Sequence, residues 1–224
     1  RLSHQGPASA QPRARRPGGC ATMPPMSNTP LPLLVFAGST RTGSHNRKLA
    51  HAAAEMARAA GAQVTVLDLA AHELPLYNAD LEARGTPAAS LELKRILHAH
   101  PAWIVCSPEY NGSYTGLLKN TIDWVSSPVK SDPEWQRGTK PFEGKVVGLL
   151  SASPGVLGGV RGLAHLSTLL RNLQCWVAPK QFALGQAGSA FDPDGRLAQD
   201  TARQAVQGVV DQVMHAARAL NTTP

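Results

Sequence analysis

The chain has 224 residues, with 22 Lys+Arg against 15 Asp+Glu and a formal net charge of +7. A hydrophobic share of 42% supports a real core and argues against wholesale disorder. No apolar run approaches the roughly 20 residues that a membrane-crossing helix needs, which excludes a transmembrane protein. Residues 1–29 hold Arg1, Arg13, Arg15 and Arg16 and no acid, so they carry +4 and leave +3 for the remainder. That segment is rich in Pro, Gly, Ser and Arg without apolar periodicity, and we read residues 1–30 as a disordered basic leader. It has no apolar stretch of roughly 7–15 residues, so it is no secretory signal. Its prolines spoil the amphipathic helix of a transit peptide. A vector-derived or upstream-translated segment is the preferred interpretation, with the native start near Met23 or Met26. A nucleic-acid-binding arm is the sharper alternative.

Beyond residue 30, strand-like and helix-like segments alternate. Leu33–Ala37 is a continuous apolar run that ends at Gly38, as expected of a strand buried on both faces. Ser44–Ala60 is Ala-rich, with Leu49, Ala53, Met56 and Ala60 at helical spacing and Gly61 closing it. Val64–Leu67 reads as the second strand, Ala88–Ala99 as a helix and Trp103–Cys106 as the third strand. Tyr114–Val125 reads as helix, Val146–Leu150 as the fourth strand and Arg161–Leu173 as helix. A fifth strand begins at Cys175–Val177, and Leu197–Leu220 forms a long closing helix. The alternation implies βαβ crossovers, hence one α/β domain over 31–220: a doubly wound five-stranded parallel sheet with helices on both faces.

In such sheets ligands bind beyond the carboxyl ends of strands, where strand order reverses. The loop after the first strand, Gly38–Asn46, combines glycines, hydroxyls, Arg41 and a helix N-terminus, a cradle for an anion. It lacks the Lys of GxxxxGK[ST] and contains no GxGxxG, so a terminal phosphomonoester suits it better than a triphosphate or dinucleotide. Plain N-capping would explain Ser44 but not Ser39, Arg41 or Asn46. The loop after the third strand, Ser107–Ser113, places Tyr110 among amide and carboxylate groups, with Gly112 allowing a tight turn. Glu109 has no titratable companion there and is assigned no acid–base role. The loop after the fourth strand, Ser151–Gly159, holds three glycines, more than a turn needs. Arg161 just beyond it either attracts cofactor phosphates or sits in solvent. The histidines show no metal-ligand spacing, and GxSxG is absent.

The stretches Gly38-Ser39-x-Arg41-x-x-Ser44-x-Asn46 and Pro108-Glu109-Tyr110-Asn111-x-Ser113, continuing to Leu118-Lys119-Asn120-x-Ile122-Asp123-Trp124, resemble the NADPH-dependent FMN reductase family, which includes flavodoxin-like quinone and chromate reductases. The similarity runs over about residues 31–220. It implies a flavodoxin-like fold and FMN at the switch point, with Ser39, Arg41, Ser44 and Asn46 around its phosphate. Pro108, Glu109, Tyr110 and Asn111 would line the isoalloxazine ring, with Ser113 a further cofactor-binding residue, and Ser153, Gly158 and Gly159 would border its far side. NADPH or NADH would donate hydride, and a small acceptor (quinone, flavin, azo compound or chromate) would take the electrons in ping-pong turnover. No nucleic-acid or membrane partner follows from the resemblance, while a homodimer or homotetramer does.

A non-catalytic flavodoxin-type electron carrier is the alternative, disfavoured by the mildly basic domain and the 5% aromatic content. Ser126–Glu143 is a long connection for its position, read as a flap near the flavin or an oligomer contact. Trp124 is read as core or as a partner contact. Cys20, Cys106 and Cys175 make no disulfide framework and suit a reducing, cytoplasmic setting.

Overall fold

In the computed structural model, which describes residues 30–221, five parallel strands form one sheet in the order β2-β1-β3-β4-β5. They are β1 Leu31–Ala37, β2 Ala62–Leu67, β3 Ala102–Cys106, β4 Val146–Ala152 and β5 Trp176–Leu184. The helices are α1 His45–Ala59, α2 Ala79–Arg84, α3 Ala88–Ala99, α4 Gly116–Ser126, α5 Val160–Asn172 and α6 Asp200–Leu220. The leader assigned to residues 1–30 lies almost wholly outside the described residues.

Every residue of β3 and β4 is buried, which is why these strands read as unbroken apolar runs. Alternate residues serve two cores. Leu33, Val35 and Ile104 pack against α1 and α6, while Leu34, Phe36, Trp103 and Val105 pack against α3, α4 and α5. The buried stripe of α1 is Leu49 with four alanines, Ala50, Ala53, Ala54 and Ala57, small enough to bring the helix close to the sheet. Helix α6 instead buries Val206, Val209, Val210, Val213 and Met214. Full burial of such side chains contributes about 1.5–3 kcal/mol each.

The structure adds two elements that periodicity missed. A 3₁₀ turn at Leu69–Ala71 and the six-residue α2 are each too short to show a repeat, and side chains of Asp68 and Asn78 cap them. The closing helix starts at Asp200 rather than Leu197, because Leu197 forms a β-bridge with Phe191. Strand β5 continues through Pro179 to Leu184, which an edge strand tolerates.

Ser126–Glu143 is not a flap over the switch point. It joins the end of α4 to the start of β4, at the amino ends of the strands. Its Trp135 is buried and packs edge-on against His98 in the last turn of α3, with ring centroids 5.5 Å apart. Trp124 is core: fully buried, it donates from Nε1 to the Pro75 carbonyl at 2.7 Å. Among the described residues no helix is long and apolar enough to cross a membrane.

From β1 the chain turns outward to β2 and then crosses back to β3 on the other side of β1. Strand order therefore reverses between β1 and β3, and the carboxyl ends of these two strands and of β4 define the crevice.

Candidate functional site: a phosphate cradle and a flat-ligand groove at the switch point

The β1–α1 loop is held open from both sides. Thr115 Oγ1 donates to the Gly38 carbonyl at 2.7 Å and accepts from the Leu118 N–H, so the cap of α4 also anchors the end of β1. Ser44 is buried and caps α1, its hydroxyl accepting from the Arg47 N–H. Among the described residues, the backbone N–H groups of Ser39, Thr40, Thr42, Gly43, His45 and Asn46 have no intramolecular acceptor. Six unpaired donors at a helix N-terminus form an anion cradle, and the helix dipole adds to it. Ser39 is buried, its Oγ 3.4 Å from the Arg41 N–H. The exposed Arg41 guanidinium rests on the Thr42 and Gly43 carbonyls at 3.2 Å each. Arg47, also basic and adjacent, is paired with Asp68 at 2.8 Å and contributes little net charge to the cradle. Burial, then the charges of Arg41 and Lys48, hold the His45 imidazole below its ordinary value, and it stacks on Phe191.

Asn46 does different work from the one expected. Its amide is buried, donating to the Ala152 carbonyl at 2.8 Å and accepting from the Ala152 N–H at 2.9 Å. Its side chain ties α1 to the end of β4, and only its backbone N–H faces the cradle. Replacing Asn46 with Ala leaves both buried backbone groups of Ala152 unpaired, so a stability loss of about 2–3 kcal/mol is expected. Chemical denaturation of Asn46→Ala checks this, and a variant as stable as the wild type would return Asn46 to a purely ligand-facing role.

The β3–α4 loop is a tight hairpin. Tyr110 and Ser113 exchange backbone hydrogen bonds at 2.8 and 3.1 Å, and the residues between them, Asn111 and Gly112, have φ of 51° and 80°. Positive φ at both positions is the type I′ pattern, for which Asn-Gly is the favoured pair. Tyr110 is 54% exposed at the rim. The N–H groups of Glu109, Asn111 and Gly112 have no acceptor among the described residues, while Pro108 is buried behind them. Nearby Cys106 is fully buried, and desolvation pushes its thiol far up, so it is no thiolate.

The β4–α5 loop is pressed onto the end of β5. A Cβ on Gly158 would lie 2.5 Å from the carbonyl carbon of Ala183, and one on Gly159 would lie 2.0 Å from Ser151 Oγ. Ser153 is half-buried and its N–H pairs with the Leu184 carbonyl. Glu109, like Asn46, is committed elsewhere. Its carboxylate accepts from Arg161 and from the Gly162 N–H, joining this loop to the β3 loop. Burial pushes the Glu109 carboxyl up, but the Gly162 hydrogen bond and the Arg161 guanidinium outweigh it and hold the group below the usual carboxylate range. Its side chain is therefore a structural clamp, and its backbone N–H is the part that a ring could meet. The Thr115 anchor has a local signature, a Thr directly before Gly116 and a helix, which is a legible N-cap signal; its bond to Gly38 is visible only in the fold.

A cradle of free N–H groups beside a hairpin that carries more of them, on a 2-1-3-4-5 parallel sheet, defines a flavodoxin-like protein with an anion-accepting crevice. The profile of the NADPH-dependent FMN reductase family matches residues 31–189. An NAD(P)H-dependent FMN reductase of Pseudomonas aeruginosa is 36% identical over 176 residues, covering 78% of this chain and 89% of that protein. A quinone reductase of Pseudomonas putida is 34% identical over 181 residues, covering 80% and 90%. Among solved structures, FerB, a flavoenzyme NAD(P)H:(acceptor) oxidoreductase from Paracoccus denitrificans, superimposes with a TM-score of 0.72 at 28% identity, over 84% of this chain and 98% of that one. The chain belongs to the NADPH-dependent FMN reductase family, and is thus an oxidoreductase working with FMN and NAD(P)H.

Proposed function

We propose that this chain is a quinone-type reductase with FMN as its resident cofactor, loaded and discharged in ping-pong alternation. The observation that carries the proposal is the set of six unpaired N–H groups in the β1–α1 loop. That donor set fits a small phosphomonoester, and the adjacent hairpin supplies further donors where the edge of a planar ring would lie. Ser39, Arg41 and Ser44 complete the phosphate site, with Asn46 acting through its N–H. Pro108, Tyr110, Asn111 and Ser113 border the ring on one side, with the Glu109 N–H, and Ser153, Gly158 and Gly159 border it on the other. FMN bound there supplies two-electron chemistry between a reduced nicotinamide and a second small acceptor. The protein's part is to hold and orient: its hydrogen bonds fix the ring edge, and the close-packed Gly158–Gly159 backbone bounds the groove. No paired acid and base stands in the loops. Flavins, azo compounds and chromate are further acceptors under the same reading. The catalytic domain is residues 31–220, and exposed Val156, Leu157 and Val160 beside the groove support a homodimer or homotetramer.

Visible spectra of the purified protein, with and without added FMN, test the proposal. A colourless protein that neither perturbs the FMN spectrum nor quenches its fluorescence would overturn it. Oxidation of NADPH and NADH should then rise on addition of a quinone. Arg41→Ala is expected to weaken FMN binding by about 1.5–3 kcal/mol, the size of a charge-assisted hydrogen bond. An unchanged dissociation constant would remove Arg41 from the phosphate site.

A further inference from the structure

Arg161 is the second residue of α5, and its side chain is 64% exposed. Its Nε and Nη2 both donate to Glu109 Oε1, at 2.8 and 2.5 Å. The other Glu109 oxygen accepts the Gly162 N–H at 2.9 Å, and the Glu109 side chain is only 8% exposed. The pair is lopsided: the carboxylate is buried and shared with a backbone donor, while the guanidinium faces outward. Nη1 makes no hydrogen bond among the described residues. One turn further along, His165 Nδ1 lies 3.3 Å from Ser113 Oγ. This face of α5 therefore runs beside the Tyr110–Ser113 hairpin, so the Arg161 guanidinium stands at the rim of the groove next to exposed Tyr110.

The other cations around the crevice are differently placed. Arg41 lies on carbonyls of the phosphate loop, Arg47 is paired with Asp68, and Lys48 stands over the Phe191 ring at 5.8 Å. Among the described residues on the β4 side of the hairpin, Arg161 is the cation left facing outward. A guanidinium already fixed in orientation by a buried partner loses less side-chain freedom on meeting a second anion, and its planar fork suits a phosphate.

We infer that Arg161, braced by Glu109, receives a phosphate group of the nicotinamide dinucleotide when that donor lies over the Tyr110–Ser113 hairpin. The inference rests on the FMN reading above. Arg161 is then a donor-binding residue, and Glu109 is the positioning residue behind it. Two phosphates of the donor share this chemistry, the pyrophosphate bridge and the 2′-phosphate that distinguishes NADPH from NADH.

Wild type, Arg161→Lys and Arg161→Gln are first titrated with FMN, and all three are expected to bind it equally. Calorimetry with 2′,5′-ADP then reads the phosphate contact without turnover. Arg161→Gln should weaken 2′,5′-ADP binding and raise the KM for the donor by about tenfold or more, as loss of a charge-assisted hydrogen bond does. Acceptor KM and kcat at saturating donor should stay within about twofold, because saturating donor offsets a loss confined to binding, and lysine should recover part of the loss. A rise with both NADPH and NADH assigns the contact to the pyrophosphate; a rise with NADPH alone assigns it to the 2′-phosphate. Unchanged 2′,5′-ADP affinity and donor KM in a glutamine variant that still binds FMN would overturn the inference alone. Loss of FMN binding in that variant would overturn it in favour of a structural ion pair. Failure of the wild type to bind FMN would overturn both readings.

Discussion

Lys94→Ala is expected to cost about 3–5 kcal/mol of folding stability, the size seen when a buried charge is removed from its partners and a cavity is left. Lys94 is completely buried in α3, and its Nζ donates to the carbonyls of Val125 and Ser127 at 2.6 Å each. Those carbonyls belong to the C-terminal end of α4, where helical partners run out. A second α3 side chain, Ser90, donates to the Trp124 carbonyl at 3.0 Å, so α3 satisfies the end of α4 group by group. Truncation at 94 removes the donors and leaves two buried acceptors bare. Burial pulls the Lys94 ammonium from 10.5 down to about 8, although the charge of Glu82 pulls the other way. The folded chain thus binds this proton less tightly than the unfolded chain does. Its contribution to stability rises as pH climbs from about 8 to about 10.5 and is flat below that window. Urea unfolding of wild type and Lys94→Met across pH 7.5–10.5 isolates this component: the stability difference should shift in favour of the wild type with rising pH. A pH-independent difference, or an alanine variant within about 1 kcal/mol of wild type, would show that Lys94 is not the cap of α4.

Gly158→Ala is expected to lose about 3 kcal/mol of stability and to weaken FMN binding in parallel. The residue has φ of 64°, and an added Cβ would meet backbone atoms rather than a movable side chain: Ala183 C and O and Gly185 N, all at 2.8 Å or less. The β4–α5 loop has to lift away from the end of β5. Glu109 reaches across to Gly162 at the start of α5, so a lifted loop also loosens the β3 hairpin. Thermal unfolding and FMN titration of the one variant measure both effects. Normal FMN affinity in a destabilised Gly158→Ala protein would mean that this loop does not border the ring.

Much of the architecture is written locally. The doubly buried runs at 33–37, 103–106 and 146–150 mark β1, β3 and β4 because a strand covered on both faces has no polar side to alternate with. Helix α3 was legible to the residue, and Ser44 and Gly61 bracket α1. The short α2 and the Leu69–Ala71 turn escaped because six residues or fewer cannot display a 3.6-residue repeat. Asn111-Gly112 is itself a local type I′ signal, more specific than the tight turn that Gly112 alone allows.

That the loops after the strands lie beyond their carboxyl ends followed from the βαβ alternation, and the strand order β2-β1-β3-β4-β5 gathers those after β1, β3 and β4 at the crevice. Which atoms in those loops remain open to a ligand did not follow from the alternation. Asn46 and Glu109 looked alike as polar residues in cradle loops, yet Asn46 is spent on Ala152, 106 residues away, and Glu109 on Arg161, 52 residues away. Short-range patterns report propensity and burial because both act over a few residues. The free valence of a polar group depends on partners that only the folded sheet brings within 3 Å, and tertiary contact alone turned Asn46 and Glu109 into ties and left the bare N–H groups of the β1–α1 loop facing the crevice.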